Sequence, residues 1–304
     1  MSVHATTRTR AGLVLGAGAV ALSFAAVLIR LTDAPSIVIA GGRLLTASLV
    51  LAPFFWSRFG RMRRELSGRN WLPIVGAGAF LAVHFVLWIE SLRHTTVASS
   101  VVLVAMDPIF VAVLSPLVLR ERVPWRIALA IALGFAGTAI IAGPSFGSGL
   151  ATRGNLLALG GAACAAGYLM IGRRVRQRVE LLAYVYVMYT VAAVILVGLM
   201  FATGHTLGGL APSAYGFIVL LALGPQLVGH TSFNWALRYL SAPAVAMAIL
   251  FEPVGATLLA WWVLRETPRT FEVLGGLVIL AAIYLAVSEG MKRVPSRPPA
   301  APVG

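Results

Sequence analysis

Charge is scarce in this chain. Only 11% of its 304 residues are Asp, Glu, Lys or Arg, where a soluble domain carries about a quarter. Cysteine is scarcer: Cys164 is alone, so no internal disulfide can form, and no Cys/His set has zinc spacing. There is no GxxxxGK[ST] phosphate loop, so nothing points to ATP hydrolysis. No Asp-rich metal motif and no His–acid pair stands near a span end in the way a membrane enzyme acting on a lipid or isoprenoid would need. Gly143-Pro144-Ser145-Phe146-Gly147 matches GxSxG, but that motif needs a strand before it and a helix after it. Here it follows an apolar run. Glu90 and His94, four residues apart, are expected to form a partly solvated pair, or no contact at all, rather than a metal site. No metal or organic cofactor is expected.

What fills the chain is apolar: 59% of residues are hydrophobic and the mean hydropathy is +0.90. The apolar runs fall roughly at 11–29, 35–56, 72–90, 97–119, 125–143, 154–172, 181–202, 213–235, 243–264 and 271–288. Each is close to the ~20 residues that a helix needs to cross a bilayer. The connections hold Gly, Pro, Ser or Arg, as breakers should. Arg8 and Arg10 before the first run imitate a signal peptide, yet the run is long and Arg30-Leu31-Thr32-Asp33 is no cleavage site. It is read as a retained span. The expected fold is an all-α integral membrane protein of ten transmembrane helices.

The net charge of +14 does not imply nucleic acid, because the arginines sit in short connections and no basic face carries stacking aromatics. It encodes topology instead. With the N-terminus inside, eighteen of the 24 basic residues fall on the inner side, five fall outside and Arg43 lies within a span. That bias places both termini in the cytoplasm. The division expected is a cytoplasmic tail at 1–10, a five-helix repeat at 11–143, a second at 154–288, and a disordered Pro-rich cytoplasmic tail at 289–304.

The two halves repeat. Leu92-Arg93, Asp107-Pro108 and Val118-Leu119-Arg120-Glu121 recur 145 residues later as Leu237-Arg238, Glu252-Pro253 and Val263-Leu264-Arg265-Glu266. Five crossings per repeat send the second into the membrane from the opposite side, which makes the repeats inverted and suggests a transporter with its site between the halves. A rigid duplicated scaffold or a non-transporting accessory subunit is the blander outcome.

Ten spans in two repeats, a proline in each fourth span and the Leu-Arg-Glu after it resemble the EamA type of the drug/metabolite transporter superfamily. The likeness is best in Phe251-Glu252-Pro253, Leu264-Arg265-Glu266 and Gly275-Gly276, in Met106-Asp107-Pro108, Leu119-Arg120-Glu121 and Gly134, and in Gly41-Gly42-Arg43. The resemblance implies a multi-pass protein of the bacterial inner membrane that exports or facilitates passage of amino acids or similar metabolites. The substrate is a small molecule, with protons as a candidate co-ion, and the lipid bilayer is the surrounding partner. Monomer and homodimer both stay open.

Four ionisable side chains fall near mid-membrane. At 1.5 Å per residue, Arg43 lies ~12 Å and Asp107 ~15 Å in from the outer ends of their spans, and Glu252 ~13 Å and His84 ~18 Å from the inner ends of theirs. Facing lipid there costs at least ~2.5–3.5 kcal/mol for Asp or Arg, so they should face the interior. They are the candidates to bind substrate or protons. Arg43 can pair with one acid or hold an anionic group of the substrate; a second acid is then left to take up a proton. Pro108 and Pro253 each remove a backbone donor, freeing the carbonyls of Val104 and Ile249. Glu121 and Glu266 precede new spans, where Pro124, Pro268 and Thr267 suit a helix start. Phe85, Trp88, Phe233, Trp235 and Tyr239 gather near span ends and are expected mostly as interfacial anchors. Trp88 and Phe233, related by the 145-residue offset, are also candidates to line a cavity. Gly12, Gly16, Gly76, Gly78, Gly160 and Gly161 are expected to let helices approach closely.

Overall fold

The computed structural model describes residues 2–292 except 67–69, 109, 112–113, 115–123, 143–148, 250, 266 and 268–269. Among these residues the chain is helical with no strand. Its helices are α1 (Ser2–Ser23), α2 (Ala25–Leu31), α3 (Ser36–Trp56), α4 (Phe59–Glu65), α5 (Trp71–Ser91), α6 (Val97–Val104), α7 (Trp125–Ala142), α8 (Gly149–Val175), α9 (Leu181–Ala202), α10 (Pro212–Leu221), α11 (Thr231–Ala236), α12 (Ala242–Ile249), α13 (Phe251–Leu264) and α14 (Thr270–Lys292). A π-helical segment, Ala222–His230, joins α10 to α11. Six stretches are long and apolar enough to cross a bilayer, from Gly12–Leu31 to Pro212–Ala236, and three shorter apolar helices accompany them. The segment 2–10, expected as an N-terminal tail, is helical and continuous with α1, and the apolar stretch of the first span begins at Gly12. The C-terminal tail beyond 292, Glu121, Glu266 and Pro268 lie outside the described residues.

Packing exchanges the two repeats. α5 lies along α8, and its counterpart, the π segment with α11, lies along α1. α6 packs on α8, and α13 packs on α1. α3 with α9 and α7 with α14 pair as counterparts across the pseudo-two-fold axis, and α6 packs on α13. Five crossings per repeat put that axis in the membrane plane, which is the inverted-repeat architecture. Lipid tails give no hydrophobic drive between helices, so close contact must supply the attraction. The closest approach is at Gly255, where an added Cβ would stand 2.0 Å from Ser23 Oγ and 2.5 Å from Ser23 Cβ. Gly78 is nearly as tight, with Met188 O at 2.8 Å. The Gly12/Gly16 pair does not work this way: a Cβ at either meets nothing within 4 Å. The spacing sets a small-residue face, but the neighbours decide which face is used.

The aromatic expectation also needs correction. Phe85, Trp88 and Phe233 are buried in the core, because their helices turn those faces inward. Trp56, Trp71 and Trp125 are among the exposed rings and stand at helix ends, as membrane–water anchors do.

The fourth span of the first repeat is broken rather than kinked. Pro108 has no N–H for the carbonyl of Val104. α6 therefore closes on a tighter turn, Met106 N to Leu103 O at 3.2 Å, and the helix resumes at Asp107. Asp107 thus stands at the start of a half-helix, where the peptide dipoles favour negative charge. In the second repeat α12 is described to Ile249 and α13 from Phe251, with Glu252 next in the chain; residue 250 lies outside the described residues.

Candidate functional site

The two fourth spans meet at a cavity of about 30 Å³, lined by Leu22, His84, Trp88, Val104, Asp107, Ala165, Tyr168, His230, Ile249 and Glu252. Both acids, and Val104 and Ile249 ahead of them, reach it from equivalent positions of the two repeats. Asp107 and Glu252 are buried. Oδ1 and Oδ2 of Asp107 and Oε1 of Glu252 have no hydrogen-bond partner among the described residues. A buried acceptor left unmatched costs about 1–3 kcal/mol, more when charged.

His84 is held by its Nδ1, which stands 2.9 Å from Gly161 O. A carbonyl oxygen only accepts, so Nδ1 carries the hydrogen, and Nε2 of the neutral ring is left as an acceptor. The ring stacks on Trp88 at 6.0 Å between centroids and meets His230 edge-on at 6.3 Å. His230 in turn shares a hydrogen bond with Tyr168 Oη at 3.2 Å through Nδ1. The indole Nε1–H of Trp88 is buried without a partner.

Arg43 stands outside this lining. It is fully buried at 0% exposure, with its guanidinium carbon 4.2 Å from the centroid of Phe85. Its Nε donates to Gln226 Oε1 at 2.8 Å, and Nη1 and Nη2 have no partner among the described residues. The pairing expected with Asp107 or Glu252 is therefore absent here; a neutral amide from the π segment takes the bond. Tyr189 Oη donates to the Gln226 carbonyl oxygen at 3.3 Å, and Thr231 Oγ1 does so at 3.3 Å. The extra residue of the π turn leaves that carbonyl open to side chains.

Of the residues singled out from sequence, His84, Trp88, Asp107 and Glu252 come together at the cavity. Pro108 and Pro253 are buried beside it, and each leaves its span one backbone donor short. Phe233 is fully buried but is not among the lining residues. His230, Tyr168 and Gln226 were missed. Gly224-Pro225-Gln226 inside an apolar span was the available signal for the last. Glu90 and His94 pair as expected, Oε1 to Nε2 at 2.9 Å.

A family model described as the EamA-like transporter family matches residues 10–143 and again 152–288. The chain belongs to the EamA-like transporter family. The double match agrees with the repeat read from the acids and prolines. An uncharacterized transporter of Archaeoglobus fulgidus is 26% identical over 255 residues, covering 81% of this chain and 85% of that protein. A protein of Streptantibioticus cattleyicolor named a probable terminal-alkyne amino-acid exporter is 25% identical over 244 residues, 80% of this chain and 81% of its own. A crystal structure superposes with a TM-score of 0.76 at 18% identity, covering 94% of this chain and 100% of the other. At that identity it speaks for the fold alone.

Proposed function

We propose that this EamA-like chain is a secondary exporter of amino acids or related small metabolites across the bacterial inner membrane. It works by alternating access about the two fourth spans, with both termini cytoplasmic. The observation that carries the reading is the cavity itself: one carboxylate from each repeat, with three of their oxygens unpartnered among the described residues. Buried acids at mid-membrane are costly and serve ion or proton pathways in transporters. The name of the Streptantibioticus relative supports amino acids as the solute class. The cavity has room for about two waters, so admitting such a solute requires the halves to move. Asp107 and Glu252 exchange protons as the solute enters and leaves, and the chain moves its solute without converting it.

Proteoliposomes with a labelled amino-acid panel and an imposed pH gradient test this. Asp107→Asn or Glu252→Gln should abolish gradient-driven accumulation and leave downhill exchange measurable. Full gradient-driven transport in both variants removes proton coupling; no flux of any panel member in the wild type removes the amino-acid reading.

A further inference from the structure

The 145-residue relation makes each residue a control for its counterpart, and at one place the two repeats part. On one face lies a polar vestibule of about 260 Å³, lined among others by Leu31, Ile39, Ile89, Leu92 and Arg93. Their counterparts are Arg176, Tyr184, Asn234, Leu237 and Arg238. That second place is filled. Arg176 is 2% exposed, and its Nε donates to Asn234 O at 3.1 Å while Nη1 donates to Val179 O.

The neighbours repeat the difference. Arg173 Nη1 donates to Leu237 O at 2.8 Å. Gln177 Nε2 lies 3.3 Å from Leu237 O and 3.3 Å from Arg238 O. Three side chains from the end of α8 and the turn after it are therefore tied to the backbone at 234–238. In the first repeat Leu28, Leu31 and Thr32 hold those positions. The two leucines have no donor to give, and Thr32 Oγ1 bonds back to Leu28 O in its own helix at 2.7 Å. The carbonyl of Ala34, counterpart of Val179, is taken instead by Arg93 Nη2, which comes from the far side of the vestibule and leaves it open. Burial, and after it the charge of Arg238, lower the Arg176 guanidinium to about 10, so it remains a charged donor at neutral pH. Charge-assisted bonds of this kind are about twice as strong as neutral ones.

We propose that Arg176 bolts a gate: it closes the route to the central cavity from the α8–α11 face while the Leu31 face stands open, and the transport cycle requires it to leave its two carbonyls. The meaning of the gate rests on the alternating-access reading above. Its test does not, because it needs no substrate. Leu92→Cys and Leu237→Cys, each in a Cys164→Ala background, serve as counterpart reporters in the full chain in detergent, where both faces meet reagent. A charged methanethiosulfonate should modify Leu92→Cys at least tenfold faster than Leu237→Cys. Arg176→Leu, which installs the counterpart residue, should speed Leu237→Cys at least tenfold. Arg176→Lys, which keeps the charge but not the planar fork, should give a smaller rise. Gel filtration checks that each variant is monodisperse. Equal reactivity of the two reporters in the otherwise native chain overturns the proposal, and so does an unchanged Leu237→Cys rate in monodisperse Arg176→Leu. If Arg176→Leu does not stay monodisperse, Arg176→Lys decides: a faster rate supports the bolt and an unchanged rate overturns it. Loss of transport activity with intact labelling asymmetry would instead count against the exporter reading.

Discussion

Replacing Gln226 with leucine isolates what holds Arg43. The Nε–Oε1 bond is 2.8 Å long, and both residues are fully buried at 0% exposure. A hydrogen bond to a charged group contributes about 1.5–3 kcal/mol. No other hydrogen bond holds the guanidinium among the described residues, so leucine leaves all three nitrogens unmatched and the upper part of that range applies. The folded-to-unfolded ratio should drop by between roughly fortyfold and a hundredfold, at about 1.4 kcal/mol per factor of ten. Titration with SDS in mixed micelles, followed by the fluorescence of the 7 tryptophans, measures this directly.

The companion variants give the number its meaning. Arg43→Met with Gln226→Leu removes both partners and should recover at least half of the loss, as apolar replacement of a buried polar pair often does. Gln226→Glu supplies a carboxylate at the same atom and should hold Arg43 at least as well. If Gln226→Leu costs less than about 0.5 kcal/mol, the range of an ordinary surface change, while Glu252→Gln destabilises strongly, then an acid holds Arg43 and the amide does not.

Two more outcomes follow from local geometry. Gly255→Ala drives a methyl into Ser23 Oγ at 2.0 Å; overpacking of this sort costs about 1–3 kcal/mol, and Ser23→Gly in the same chain should restore most of it in thermal scans, whereas independent effects of the two changes would contradict the contact. Arg265 has φ of 61° after the end of α13, a region costing an L residue roughly 1–2 kcal/mol, so Arg265→Gly should raise stability by about 1 kcal/mol and Arg265→Val should lower it; equal stability of the two would remove the strain argument.

The sequence was legible where one physical rule acts alone. Bilayer thickness makes the spans visible as apolar runs, and the missing N–H of Pro108 locates the break just ahead of it, at 105–106. The cost of a mid-membrane acid marks Asp107 and Glu252. Legibility failed where a neighbour decides. Arg43 and Gln226 are 183 residues apart, and no pattern in either span announces that an amide rather than a carboxylate will meet the guanidinium. Phe85 and Phe233 lie near span ends, but depth along a helix does not say which way a ring points. Gly12 and Gly16 carry the spacing of a packing motif and meet nothing, while Gly255, without that spacing, holds the tightest contact.

The distribution of unmatched polar atoms argues that the cavity is more than a packing defect. Each buried donor or acceptor without a partner costs about 1–3 kcal/mol, and a membrane bundle can be built from small and apolar residues alone. Arg43, Trp88, Asp107, Gln226 and Glu252 all carry such atoms. Three of these five line one cavity, and Arg43 and Gln226 hold each other beside Phe85. Ser48, Ser99, Tyr184, Thr190 and Asn234 also carry one unmatched atom each among the described residues, but these are neutral, and other neutral groups in the same core are matched: Ser91 and Ser100 share a bond, and Thr95 donates to Asn155 at 3.2 Å. The sequence thus satisfies a seryl pair and a threonyl–amide contact elsewhere while leaving its charged groups partly unmatched at the axis of the repeat. A scaffold under selection for stability alone would gain from apolar replacements there. A site that must bind and release a polar solute or proton would not, because groups saturated by the protein have nothing left to offer a ligand.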